Sequence, residues 1–166
     1  HSDGVLVLNY DNEITSKFTS DREIRYFSRY KATNAFYVIN GKIYYKDKEV
    51  FDTSKLHIRG VHNHENICAC MSAIIDMVDI DKSFKAISEF GGVGHRLEFV
   101  REINGVKWYN DSVSSSPTRT IAGLNSFDED IVLIAGGYDK NLDYSPIAKP
   151  ILDKVSSLIL LGQTSA

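Results

Sequence analysis

The sequence predicts an α/β fold. Short continuous apolar runs, such as Ile-Val-Leu-Ile-Ala at 131–135 and Leu-Ile-Leu-Leu at 158–161, have the length and aliphatic content of strands buried on both faces. Across 106–162 such runs alternate with helical patterns, in the order strand, helix, strand, helix, strand, which is the order of a doubly wound sheet. Two Asn-Gly pairs, Asn40-Gly41 and Asn104-Gly105, each sit between β-rich runs and mark hairpins.

In chain order, Val5-Leu6-Val7-Leu8 reads as a buried, parallel strand with a polar end at 9–13. Asp11 is placed to cap a helix through about Phe18. Residues 35–39 and 42–45 form the first hairpin. Asn40-Gly41-Lys42 lacks the upstream glycine and the following Ser/Thr of a phosphate loop, so it reads as a turn. Residues 66–78 read as a helix, because Ile67, Cys70, Met71, Ile74, Ile75 and Val78 fall on one face at three-and-four spacing. A second helix starts at Asp81, with Phe84, Ile87, Ser88 and Phe90 inward and Lys82 and Lys85 outward. Gly91-Gly92-Val93-Gly94 is the expected domain boundary, since clustered glycines favour bends. Beyond it, 97–100 and 106–109 flank the second Asn-Gly turn. Residues 118–125 are helical with Pro117 in the first turn, where a missing N–H costs nothing. Residues 131–135 are a buried strand ending in Gly136-Gly137, 144–155 are largely helical, and 158–161 form the last strand.

The chain's 166 residues suit one domain or two small ones, and its 43% hydrophobic and 25% charged residues are ordinary for a globular protein. A net charge of -3 lacks the excess of basic residues that a general nucleic-acid binder carries. No apolar run approaches the roughly 18 residues of a membrane span, and the N-terminus has no basic-then-apolar signal pattern. Neither a nucleic acid nor a membrane is expected as a partner. Cys68 and Cys70 lie on one predicted helix and point in different directions, so they do not pair. With no disulfide framework or zinc spacing, a reducing cytoplasm is the expected compartment. His1-Ser2 reads as an appended remnant, and the abrupt start before Val5 gives the chain the look of an excised piece.

Four polar stretches stand at element ends. In His62-Asn63-His64-Glu65-Asn66, the two asparagines are spaced to share one helix face. Paired amides supply donors and acceptors that suit the edge of an adenine ring; the plain alternative is helix capping. A zinc site at His62 and His64 lacks a third ligand of suitable spacing. In His95-Arg96-Leu97-Glu98, Arg96 supplies a planar cation for phosphate, or else pairs with Glu98 on a strand face. In Asn110-Asp111-Ser112, Asp111 lies at a strand's C-terminal end, where open α/β sheets bind ligands, and suits ribose hydroxyls; an Asx turn is the alternative. The amides and hydroxyls of Ser114-Ser115-Ser116-Pro117-Thr118 open a helix and favour an anion, or form a capped polar loop. In Gly136-Gly137-Tyr138-Asp139-Lys140, the glycines admit a ligand near the backbone and Lys140 offers a charge for a carboxylate, or is a solvated loop lysine.

Together these stretches resemble the Mur ligases, over essentially all 166 residues. Gly-x-His-Asn-x-x-Asn marks the wider Mur and folylpolyglutamate ligase group. His-Arg-x-Glu, Asn-Asp-Ser, Ser-Pro-Thr-Arg-Thr and Gly-Gly-Tyr-Asp-Lys are similar to the D-glutamate-adding branch. The resemblance implies part of a central P-loop-type ATPase domain at 1–92, followed by part of a Rossmann-like C-terminal domain at 93–166. It implies an ATP-dependent enzyme of peptidoglycan biosynthesis that joins D-glutamate to UDP-N-acetylmuramoyl-L-alanine through an acyl phosphate, as a cytoplasmic monomer. By position it puts Asn63 and Asn66 at the adenine, Arg96 at the phosphates and Asp111 at the ribose. Ser115 and Lys140 fall at the D-glutamate. Val113 stands where many relatives have lysine, and no Gly-x-x-x-x-Gly-Lys-Ser/Thr loop is present. The resemblance therefore places the phosphate loop, the Mg2+ ligands and the modified lysine upstream of residue 1, and implies that this chain is inactive by itself. Another Mur or folylpolyglutamate-type ligase, or a nucleotide-binding module without catalysis, are the other readings.

Overall fold

The computed structural model describes residues 4–163, so His1 and Ser2 lie outside the described residues. The chain divides into two compact units between Gly91 and Gly92.

In the first unit, strand β1 (Leu6–Asn9) runs parallel to β2 (Ile24–Phe27). A meander follows: β3 (Phe36–Ile39), β4 (Lys42–Tyr45) and β5 (Lys48–Asp52), all antiparallel. The β3–β4 turn is the predicted hairpin. Asn40 and Gly41 take φ of 51° and 73°, the left-handed pair that a two-residue turn needs to match strand twist. Helix α1 (Val61–Ile74) packs on β1, β2 and β3, and α2 (Ile80–Glu89) packs on β5. Asp79 caps α2, its side chain accepting from Lys82 N. The core is Phe36, Val38, Ile43, Ile67, Cys68, Met71 and Phe84. Phe36 stacks on Tyr45, and Phe84 stacks on Phe51.

Three local expectations are corrected here. Asp11 caps no helix. Its carboxylate accepts from Ser28 Oγ and Arg29 N, both at 2.7 Å, tying the two parallel strand ends together. Asn12 instead accepts the amides of Ile14 and Thr15, and only the 3-10 turn Thr15–Lys17 forms. The helix read at 66–78 starts earlier, at Val61, because Gly60 at φ 93° sets the turn that begins it. It also shows Cys68, rather than Cys70, to the core: Cys68 is fully buried and Cys70 exposed.

In the second unit, β6 (Glu98–Ile103) and β7 (Val106–Asn110) form the second hairpin, with Asn104 and Gly105 again left-handed. Helix α3 (Pro117–Leu124) begins at its proline, as expected. Strand β8 (Ile131–Gly137), a 3-10 turn with helix α4 (Ala148–Lys154), and strand β9 (Val155–Gly162) complete a β-α-β unit, and β8 and β9 pair in parallel. Among the described residues β7 pairs with β6 and not with β8, so the strands at 106–162 fall in two separate pairs rather than the one expected sheet, and the parallel part is the β8–β9 pair. The strands expected to be buried are only partly so. Leu6 in β1, Val132 and Ile134 in β8, and Leu158 to Leu161 in β9 are all exposed.

Candidate functional site

The first unit holds the amide pair. Gly60 caps α1 without a side chain, and neither asparagine acts as the N-cap. Asn63 Nδ2 donates to Arg59 O at 2.6 Å, which ties the incoming chain to the first turn. Asn66 Nδ2 donates to Asn63 Oδ1 at 3.2 Å, so the two side chains share a face. Asn66 is exposed and keeps its amide oxygen and second amide hydrogen for a partner. Beside them, Glu65 Oε1 accepts from Asn9 Nδ2 at 2.8 Å, and its other oxygen lies 4.0 Å from Arg29. This network anchors the N-terminal turn of α1 to the C-terminal ends of β1 and β2, the end of a parallel sheet where ligands bind. Burial holds the His64 imidazole below its ordinary pKa, with further lowering from Arg29 and His62.

In the second unit the His-Arg-x-Glu and Asn-Asp-Ser stretches come together. Leu97 N donates to Asp111 Oδ1 at 3.0 Å, Val113 N donates to His95 O at 3.2 Å, and Asn110 Nδ2 lies 2.9 Å from His95 Nδ1. Glu98 does not serve Arg96 as a surface partner through Oε2, which accepts from His95 N at 2.7 Å. His95 and Leu97, on either side of Arg96, have φ of 64° and 45°. Non-glycine residues avoid this region at a cost of about 1–2 kcal/mol each, and such strain gathers where side chains must be aimed. Arg96 is exposed between them. The Asx turn belongs to Asn110, whose Oδ1 accepts from Ser112 N at 3.1 Å. Asp111 keeps Oδ2 beyond its bond to Leu97.

Ser115 lies in the loop between β7 and α3, exposed, with its N–H on Val113 O at 2.8 Å. Ser116 is the N-cap of α3 and makes no side-chain cap bond. Lys140 is exposed just past β8, beside the turn in which Asp139 Oδ1 accepts from Asn141 N at 2.8 Å. Gly136 works differently from the expectation. A Cβ there would stand 1.8 Å from Leu161 O, so what it admits is the backbone of β9; Gly137 faces open space. Sequence reasoning missed the roles of Asn9, Arg29 and Glu65, which lie up to |i−j| = 56 apart. It named Glu98 only as an alternative partner for Arg96, because a carboxylate bound to a backbone amide leaves no pattern in sequence.

No protein-family model matches the chain. It is 47% identical to a UDP-N-acetylmuramoylalanine--D-glutamate ligase of Acetivibrio thermocellus, over 96% of this chain and 36% of that protein. It is 45% identical to the enzyme of the same name from Clostridium beijerinckii, over 99% of this chain and 36% of that protein. The chain belongs to the Mur ligase family. It spans about 36% of the length of these curated relatives. Among solved Mur ligases, MurF from Acinetobacter baumannii matches with a TM-score of 0.78 at 16% identity, covering 97% of this chain and 39% of that one. MurF from Thermotoga maritima, solved in complex with ADP, matches with a TM-score of 0.64 at 15% identity, covering 95% and 44%. These likenesses show that the mixed α/β architecture is that of Mur ligases, which join a P-loop ATPase-like domain to a Rossmann-like one.

Proposed function

We propose that this chain is part of an ATP-dependent ligase that adds D-glutamate to UDP-N-acetylmuramoyl-L-alanine in peptidoglycan biosynthesis. The observation that carries the reading is the 47% identity to a D-glutamate ligase over 96% of the chain. By this reading residues 1–92 belong to the central ATP-binding domain and residues 93–166 to the C-terminal domain.

The reaction has two steps. The precursor carboxylate attacks the γ-phosphorus of ATP, giving an acyl phosphate and ADP. The D-glutamate amine then attacks the acyl carbon. The tetrahedral intermediate expels phosphate, the amine loses a proton, and an amide remains. Nothing in this chemistry needs a covalent nucleophile from the protein. Positioning and charge stabilisation do the work.

The residues of this chain fit those tasks. Asn66, oriented by Asn63, offers the donor and acceptor that an adenine edge needs. Asp111 takes a ribose hydroxyl with Oδ2, and Arg96 takes phosphate oxygens in a planar fork. Lys140 binds a carboxylate of D-glutamate, with Ser115 as a further contact. Among the described residues no group of three His, Cys, Asp or Glu side chains is arranged to hold a metal ion. The Mg2+ expected of the whole enzyme is therefore assigned to none of them. The substrates are intracellular metabolites, so the reaction is placed in the cytoplasm, in an enzyme that acts as a monomer.

The test is amide formation by the full polypeptide with ATP, the UDP-linked precursor and labelled D-glutamate, comparing wild type with Lys140→Ala. Product is expected with D-glutamate and not with L-alanine, a diamino acid or a folate. Lys140→Ala is expected to raise KM for D-glutamate at least about tenfold, the loss of one charge-assisted contact. Preference for another acceptor would refute the substrate assignment. ATP binding without ligation would leave a nucleotide-binding module.

A further inference from the structure

We propose that Glu98 is a positioning residue for Arg96, acting with Asp111 and with the space left at Gly123 to hold the backbone on both sides of Arg96 in a left-handed conformation. The proposal rests on the reading of Arg96 as a phosphate ligand and adds the device that aims it.

His95 and Leu97 both have positive φ, 64° and 45°, yet neither is glycine. A β-carbon disfavours that conformation, so the surroundings have to impose it. Two carboxylates do so. Glu98 Oε2 accepts from His95 N at 2.7 Å, and Asp111 Oδ1 accepts from Leu97 N at 3.0 Å. The amides before and after Arg96 are thereby each fixed to an anion, and charge-assisted bonds of this kind are short and strong. The carbonyl of His95 is also engaged, by Val113 N at 3.2 Å, and Asn110 Nδ2 lies 2.9 Å from the ring Nδ1. The guanidinium is left out of this clamp and exposed.

Gly123 supplies the third part. It is buried within α3, where alanine would be the better helix former. A Cβ at that position would stand 3.0 Å from Asp111 Oδ2. An alanine would press on the carboxylate that holds Leu97 N. The missing side chain keeps Asp111 seated.

The experiment uses the full polypeptide with Arg96→Ala, Glu98→Ala, Glu98→Gln and the Arg96→Ala/Glu98→Ala double variant. ATP affinity and hydrogen exchange at the His95 amide are read side by side. Glu98→Gln keeps an acceptor for His95 N and is expected to stay within about threefold of wild type in both readouts. Glu98→Ala is expected to lose protection at His95 and to weaken ATP binding about tenfold, the usual size for one charge-assisted hydrogen bond. In the Arg96→Ala background the same change is expected to have no further effect on ATP, because Glu98 acts through Arg96. Additive losses, or a Glu98→Gln variant as impaired as Glu98→Ala, would overturn the proposal. If Arg96→Ala weakens ATP binding and Glu98→Ala does not, positioning by Glu98 fails and the phosphate role of Arg96 stands. If Arg96→Ala binds ATP as wild type does, the phosphate role fails and the positioning proposal falls with it.

Discussion

Cys68 and Cys70 differ by two positions in sequence and completely in environment. Cys68 is fully buried against Met71 and Phe84, and burial, with a smaller contribution from Glu65, pushes its thiol up to about 12 from a reference of 9.0. Tyr37 is likewise pushed up to about 12 from 10.0, first by burial and then by its hydrogen bond to Asp47. Both groups are held neutral in the folded chain and ionise earlier in the unfolded one. Above about pH 9 the unfolded state therefore binds fewer protons, and stability falls as pH rises. Each group contributes a slope of up to about 1.4 kcal/mol per pH unit until its folded pKa is reached. Denaturant midpoints measured from pH 8 to pH 11 are expected to fall steadily, and Cys68→Ala is expected to make the fall shallower. An unchanged slope in that variant would show that the Cys68 thiol ionises as readily folded as unfolded. Below pH 7 His64 acts with the opposite sign. Its lowered pKa means the unfolded state takes up the proton first, so stability is lost as pH falls through the ordinary histidine range.

At the scale of elements, the β8–β9 pair depends on one glycine. Gly136 has φ 137°, and a Cβ on it would meet Leu161 O at 1.8 Å, a clash with backbone that no rotamer change relieves. Gly136→Ala is expected to separate the strand ends and destabilise the second unit by roughly 3 kcal/mol, the upper range for overpacking. Gly137→Ala, with open space around it but φ 140°, carries backbone strain without the clash and is expected to cost less. Thermal melts of the two variants check the order. The sequence pointed to both glycines but for ligand access, because strand pairing between 131–137 and 155–162 is not encoded locally. What was legible is what local rules decide. The two Asn-Gly turns, the proline start of α3 and the inward Phe84 of α2 all follow from neighbours within a few positions. The apolar spacing that begins at Ile67 places the start of α1 too late, because its first turn is polar and its cap, Gly60, has no side chain to advertise its role. The four candidate stretches stand out in the sequence by residue type alone. Their mutual contacts, Leu97 with Asp111 and Asn9 with Glu65, do not, because they join distant segments.

For the whole molecule, burial is divided unequally between the two units. The first contains Phe36, Ile43, Cys68 and Met71, each at 0% exposure, with aromatic stacking around them. In the second, Leu124 at 4% is the buried large apolar side chain among the described residues, and Val132, Ile134 and Leu158 to Leu161 are exposed. A side chain buried from water contributes roughly 1.5–3 kcal/mol, so the first unit has far more to lose on opening. Local opening free energies follow such differences. In this chain, amides in β3 and β4 are therefore expected to exchange with solvent more slowly, by orders of magnitude, than those in β8 and β9, although the latter pair is the longer ladder. Hydrogen exchange resolved by residue checks this directly. Equal protection in the two sheets would mean that they open together in one cooperative transition, despite the chain's division at Gly91 and Gly92. The same inequality bears on how the site residues behave. Asn63 and Asn66 sit on a helix packed against the better-buried core, whereas Arg96, Asp111, Ser115 and Lys140 sit on the unit that opens more readily. The side-chain arrangement of Asn63 and Asn66, proposed to meet the nucleotide, is thus expected to be preformed. In the second unit the backbone on either side of Arg96 is held by local bonds, from His95 N to Glu98 and from Leu97 N to Asp111.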